Sequence, residues 1–355
     1  MPLDRLNAAL VRDVPGCNWI IRFDAEGRPE SGAASDIDRI NAPGEGYVWM
    51  HLDCIDRRVM DVLRRIEPLT AEARDALGGD IHHPFVEHWG DLVFGAIADH
   101  QHAIDGPKED GDFLRFALGR GFLVTARRIP IYSAQATRRA LEDGATATSP
   151  IALFELMVTH LCKCSADLTR NMATTLDGIE DNVVIEGRGR DQRAPLGQAR
   201  RSTVRLARQV NGLQSTLARL EEAAAGQDDA HLHEVTTSLG QRAEALARDV
   251  ANLQDRARTL HDEINAILTT ETNDRLYTLT VITALLLPAT FVTGYFGMNT
   301  KSLLFAEDDN GTFYATMLCL SASLGALFML WRLGLTRPHE EGKPKPTQKA
   351  LKARV

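Results

Sequence analysis

Hydrophobic and polar positions follow three different rules along the 355-residue chain. Up to residue 148 the apolar runs are short. CNWIIRFD (17–24), YVWMHLD (47–53), DLVFGAIAD (91–99), FLRFALG (113–119) and GFLVTAR (121–127) predict strands. Arg57 to Ile66 and Ala134 to Glu142 predict helices, with Gly/Pro/Asp clusters at 26–32, 42–46 and 105–112 as turns. This is an α/β domain, residues 1–148. From 149 to 275 apolar residues recur every three or four positions, from Ile151 to Val183, from Leu196 to Ala224 and from Leu232 to Ile267. Periods of that kind over three or more heptads predict a coiled-coil stalk of long helices. Pro195 with Gly187 and Gly189, and Gly226 to Asp229, mark its two turns.

The third rule begins at Leu276. Leu276 to Met298 and Phe313 to Trp331 contain no charge, and about 20 apolar helical residues cross a hydrocarbon core of roughly 30 Å. Two such runs predict a membrane hairpin over 276–335, with spans at 276–298 and 313–333 and a basic tail at 336–355. The loop 299–312 has one basic residue, Lys301, whereas seven follow the second span, from Arg332 to Arg354. The excess of Lys and Arg puts the tail, and with two spans the N-terminal part, in the cytosol of a cell bounded by an inner membrane. Glu307, Asp308 and Asp309 then stand at the outer mouth. The third stalk helix has no breaker between Ala230 and the first span. Running on to Met298 it holds about 70 residues, a length of roughly 105 Å. A helix that long needs partners along its length, which predicts a bundle of several subunits. The expected fold class is thus an α+β membrane protein: a cytosolic α/β domain, a helical stalk and two C-terminal transmembrane helices.

Composition changes this picture little. A net charge of −8 argues against a nucleic-acid partner. Five scattered cysteines without a CxxC pair suggest neither a disulfide framework nor a structural zinc site, and residues 1–16 lack the apolar core of a signal peptide. No P-loop, HExxH or GxSxG motif is present, so no enzyme and no cofactor are expected, and transport would run on an ion gradient or the membrane potential. Residues 1–275 carry 32 Lys+Arg against 43 Asp+Glu, a surplus that attracts cations as readily as it confers solubility.

At the outer end of the first span stands Tyr295-Phe296-Gly297-Met298-Asn299, preceded by Leu287-Pro288-Ala289-Thr290-Phe291-Val292-Thr293-Gly294. This resembles the CorA family of divalent-cation transporters, whose signature Gly-Met-Asn closes the first of two C-terminal spans. The resemblance covers essentially the whole chain. It implies a funnel-shaped homopentamer in which the first span lines a central pore and the second faces lipid. Leu-Pro-x-Thr-Phe-x-Thr-Gly and the LEDG…SP approach to the stalk (141–150) look like the ZntB zinc-transport branch. The acidic Met-Pro-Glu-Leu of many magnesium members is replaced here by Thr300-Lys301-Ser302-Leu303-Leu304. The implied cargo is a divalent cation, zinc first and magnesium second, and the implied filter is Gly297, Met298 and Asn299. Asn supplies a neutral amide oxygen. Five in a ring can hold the water shell of a dication weakly enough to let it pass.

Continuing the stalk's spacing upward puts Leu276, Leu279, Thr283, Leu287, Thr290 and Gly294 on the pore face, and Val281 and Ala289 off it. Both threonines can instead bond to their own i−4 carbonyls. His82-His83, His100-x-His102, His231-x-His233 and Cys162-x-Cys164 are close pairs of ligand-type residues, more simply read as surface or helix-packing positions. Two other readings stay open. One is a magnesium, cobalt or nickel channel of the same build. The other is a membrane-anchored coiled-coil scaffold, which needs no asparagine at 299.

Overall fold

The computed structural model describes residues 14–42, 44–103, 106–184, 190–225, 230–298 and 310–332. Asn299, Lys301, Glu307, Asp308, Asp309, the stalk turns at 187–189 and 226–229 and the tail beyond Arg332 lie outside them. The chain divides into two compact units, one ending at His261 and one beginning at Asp262.

The first unit is built on a seven-stranded sheet. In chain order its strands are β1 (Cys17–Phe23), β2 (Pro29–Ser31), β3 (Tyr47–Asp53), β4 (Phe85–Trp89), β5 (Leu92–Ala103), β6 (Gly106–Gly119) and β7 (Phe122–Arg127). Spatially they run β2-β1-β3-β7-β6-β5-β4, and β3 and β7 form the one parallel pair. Both faces of the central strands are covered, so side chains on either face are apolar. Short helices α1 (Asp36–Asn41), α2 (Val59–Arg64) and α3 (Ala71–Gly78) contribute to the core on the face carrying Val48, Met50, Leu52 and Val124. The opposite face carries Trp19, Trp49, Leu114 and Phe116. It packs on α4 (Tyr132–Glu142), α5 (Pro150–Val184), α6 (Arg193–Ala225) and the start of α7 (Ala230–Phe296). Pro195 sits in the first turn of α6, where a missing amide costs nothing.

Four short elements go beyond the sequence expectation. β2 has three residues and contains a proline, β4 is half exposed, and α1 and α3 have six and eight residues. Within the cluster expected as a turn, residues 106–112 are strand. β5 and β6 pair out to Ala103↔Gly106 across a register shift at His100/Gln101. The β6 residues Gly-Pro-Lys-Glu-Asp-Gly-Asp at 106–112 carry no apolar alternation to mark them.

α7 is one helix of 67 residues, close to the length expected. Its apolar positions from Leu232 through Val235, Leu239, Ala243, Leu246, Val250, Leu253 and Ala257 to Leu260 are all buried within this single chain. α5 and α6 supply the cover, fixed at one point by Arg256, whose guanidinium holds Asp177 and Glu180 of α5 at 2.5 Å each. Up to Ile264 this stretch has its cover within one chain, while most of the helix above it is exposed. Its heptad face is satisfied in cis.

Candidate functional site

The second unit holds the upper part of α7 and α8 (Gly311–Arg332). Each contains an 18-residue window of mean hydropathy 1.8, only 6% buried in α7 and 0% in α8. These are not core helices. Eighteen large apolar side chains on the two, and Met298 just after α7, are exposed. At about 1.5 to 3 kcal/mol for each one fully buried, leaving them in water costs on the order of 20 kcal/mol or more. Both helices are long and apolar enough to span a membrane.

The hairpin has a seam that is lined mostly by small residues on the α8 side. On α7 the less exposed positions are Tyr277, Val281, Ala284, Pro288, Ala289, Val292 and Phe296. On α8 they are Ala315, Cys319, Ala322, Ser323, Ala326 and Leu330. Small side chains let two helix backbones approach, which drives association where both helices are apolar all round. The approach is close enough for side chain to reach backbone. Ser323 Oγ donates to the Leu285 carbonyl at 3.0 Å and Cys319 Sγ to the Ala289 carbonyl at 3.6 Å. These contacts flank Pro288, which has no amide to offer the Ala284 carbonyl. Polar side chains of a neighbouring helix commonly serve the backbone around a membrane proline.

The stripe Leu276, Leu279, Thr283, Leu287, Thr290 and Gly294 lies away from this seam. At about 100° per residue its centre falls roughly opposite Val281 and Val292 on the helix circumference. Leu276, Leu279 and Leu287 are 56%, 60% and 67% exposed, whereas Val292 is 8% exposed. Thr283 Oγ1 donates to the Leu279 carbonyl at 2.8 Å and Thr290 Oγ1 to the Leu286 carbonyl at 2.9 Å. The i−4 bonding weighed from sequence is thus present. It spends each hydroxyl proton on the helix and leaves the oxygen lone pairs as acceptors. A methyl added at Gly294 meets nothing within 4 Å, while at Gly297 it comes within 3.1 Å of the Thr293 carbonyl. Gly297 and Met298 follow the last helical residue, and the Met298 amide reaches the Tyr295 carbonyl at 3.4 Å, so the chain tightens as it leaves the helix. Below the stripe, Arg275 is paired with Glu271 at 3.8 Å.

The ligand-type pairs of the first unit do not assemble a metal centre. No group of three or more His, Cys, Asp or Glu suited to a metal is gathered among the described residues. His82 and His83 are exposed. His100 is buried with Nε2 2.7 Å from Ser165 Oγ, and the register shift follows it, so it does not share a face with His102, whose ring lies 6.2 Å from that of Tyr132. His231 lies outside the residues whose side chains are described, and His233 is exposed on α7. Cys162 and Cys164 are both buried in α5, and burial pushes their thiols up to about 11 and about 12, away from the thiolate a metal requires. Beside them Asp99 is 1% exposed. Burial pushes its carboxyl up to about 6, against hydrogen bonds from Ser133 and the His100 amide.

One group escaped the sequence reading. Arg115, in the middle of β6, is 1% exposed, and its Nε and Nη1 have no hydrogen-bond partner. The signal was an arginine inside the apolar run Phe113-Leu114-Arg115-Phe116-Ala117, of which both faces are buried.

Comparison with known proteins gives one consistent result. The family model described as CorA-like Mg2+ transporter protein matches residues 44–332. A zinc transport protein ZntB of Yersinia enterocolitica is 23% identical over 299 residues, which is 82% of this chain and 88% of that protein. Among solved structures, full-length CmaX superposes with a TM-score of 0.75 at 19% identity, covering 90% of this chain and 98% of its own. The complete CorA magnesium transporter of Methanocaldococcus jannaschii does so with a TM-score of 0.70 at 14% identity, over 88% and 98%. A sheet domain, long helices and two apolar helices follow one another within the matched residues 44–332, and the chain belongs to the CorA-like family of transporters.

Proposed function

We propose that this protein carries divalent metal cations, zinc foremost, across the inner membrane through a pore made by five copies. The observation that carries the proposal is the division of labour on upper α7. One face is spent on α8, and the opposite stripe, Leu276 to Gly294, is left clear and alternates leucine with threonine.

The chemistry suits a hydrated dication. Waters around a metal ion point their protons outward, so the wall must accept hydrogen bonds rather than donate them. Thr283 and Thr290, each with its proton on an i−4 carbonyl, offer only lone pairs inward. Rings of Leu276, Leu279 and Leu287 form apolar collars that gate by dewetting. Asn299 with Gly297 and Met298 forms the outer filter, and Glu307, Asp308 and Asp309 gather cations outside it. A dication moving inward gains about 4.6 kcal/mol per 100 mV, at 2.3 per charge, without any nucleotide site. With the heptad face of α7 covered in cis, the case for five copies rests on the unpartnered stripe and on family membership.

A magnesium reading is favoured by one observation, the name of the family that matches; the zinc reading by the names of the curated relatives. Flux into proteoliposomes loaded with a zinc-sensitive dye separates them. Zinc uptake that excess magnesium does not suppress supports the first reading, and suppression by magnesium supports the second. Tight vesicles showing no cation flux under an inward-negative potential would remove both and leave a membrane-anchored scaffold.

A further inference from the structure

We propose that the first unit contains a binding site for a small oxyanion, a phosphate or carboxylate compound, in the cleft beyond the carboxyl ends of β3 and β7. Three independent observations meet there.

The first is topological. β3 and β7 form the one parallel pair in the sheet, with Asp53 opposite Arg127 at their ends. Ligands of open α/β sheets gather outside the carboxyl ends of parallel strands, where the connections leave in different directions. Cys54 and Arg128, the next residue on each strand, are joined to this edge by the Cys54 amide on the Arg127 carbonyl at 2.8 Å. A cavity of about 550 Å³ opens over them, lined also by Arg57, Met60 and Asp80. That volume accommodates a metabolite-sized ligand.

The second is charge. Asp56 is taken by Arg58 at 2.7 Å, and Asp80 by Arg128. Among the described residues Arg57 remains as unpaired positive charge on the cavity wall, and Arg115 stands behind Cys54 of that wall. Arg128 Nε also has no hydrogen-bond partner, although its Nη2 reaches the Gly79 carbonyl at 3.2 Å.

The third is Arg115 itself. Its guanidinium lies against the Cys54 thiol, which lines the cavity, and Arg128 acts on the same sulfur. Arg115 is 1% exposed, with Nε and Nη1 unpartnered and no carboxylate in salt-bridge distance among the described residues. A guanidinium cannot discharge by deprotonating. A buried unpaired charge is costly and calls for a compensating ion. An oxyanion entering past Cys54 supplies that ion, with Arg57 and Arg128 closing on its outer oxygens as planar forks suited to phosphate or carboxylate.

The test uses the full chain in detergent, titrated separately with inorganic phosphate, citrate and AMP at ionic strength held constant with sodium chloride. Thermal midpoint and calorimetric binding are read together. The expected result is a saturable rise in midpoint with at least one of the three, absent with chloride alone; which one responds identifies the source of the oxyanion. Arg115→Met keeps the volume of the side chain and removes its charge. It should raise the midpoint in the absence of oxyanion and abolish the ligand-induced rise. Arg128→Gln, at the mouth, should weaken binding at least tenfold while folding normally, and it decides the matter if Arg115→Met does not fold. No saturable effect of any of the three on the wild type would overturn the proposal, as would an undiminished effect in Arg128→Gln.

Discussion

If the stripe on upper α7 lines the conduction pathway, a fixed positive charge placed on it must stop dications. The perturbation is cysteine at 283 or 290, in a background lacking the native cysteines, followed by a small cationic thiol reagent that leaves a trimethylammonium group on the sulfur. Both side chains are exposed within the hairpin and lie opposite the seam with α8. The native Cys319 sits in that seam with its thiol on the Ala289 carbonyl, so its removal does not touch the stripe. For one bound charge about 7 Å from a dication at an effective dielectric of 20, the repulsion is about 5 kcal/mol, a loss of more than three decades in occupancy per modified chain. An anionic reagent of the same size attracts by the same amount, so it retains the ion instead of excluding it. The assay is dye-reported zinc flux in proteoliposomes before and after each reagent. Cysteine at Val281 or Ala289, on or beside the seam, should leave flux unchanged with either reagent. Block at 281 and 289 but not at 283 and 290 would refute the register. Equal block by both reagents at 283 would show plugging by bulk and refute the electrostatic argument.

Three other expectations can be checked separately. Asn299→Ala should abolish flux while leaving the oligomer intact, as checked by transport beside size-exclusion chromatography. Native mass spectrometry in mild detergent should show five chains; a dominant monomer or dimer contradicts the pore. For Asp99, a carboxyl ordinarily near 3.8 is raised to about 6 in the folded protein, so the native state holds the extra proton. Stability from this group is therefore full below about pH 4 and lost as pH rises through 6, by roughly 3 kcal/mol at 1.36 per unit. Thermal midpoints of Asp99→Asn from pH 4.5 to 8 should lack that part of the wild-type decline, and an identical slope in both proteins would rule it out.

The fold was legible wherever burial is periodic. β1, β3, β5 and β7 were visible because their runs are apolar, and α5 to α7 because Leu, Val and Ile return every three or four residues. β4 was not, since Glu87, His88 and Trp89 are exposed on a sheet edge and break the alternation. The polar start of β6 looked like a loop because Gly-Pro-Lys-Glu-Asp-Gly-Asp at 106–112 carries no apolar alternation. In the hairpin, the placement of Val281 and Ala289 off the stripe followed from angle alone, because 100° per residue needs no tertiary knowledge. The seam on α8 was not foreseen. A row of Ala, Ser and Cys carries no hydropathy contrast in a helix apolar on every side. Arg115 was passed over because a charge in a strand is read as a solvent-facing residue, although its immediate neighbours Leu114 and Phe116 are both fully buried.

Pro288 has a mechanical consequence. An α-helix resists bending because every rung of its ladder must stretch or compress together. Here one rung, from residue 288 to the Ala284 carbonyl, cannot exist, and the load beside it passes to hydroxyl and thiol donors on a separate helix. Compliance is thereby concentrated about three turns below the outer end of α7. A thrust or twist delivered from beneath turns into a tilt of the segment from Ala289 to Phe296, instead of spreading over 67 residues. This weak rung lies between the Thr283 and Leu287 levels of the stripe, so in the proposed pore it would be the fulcrum about which the bore above it widens or narrows.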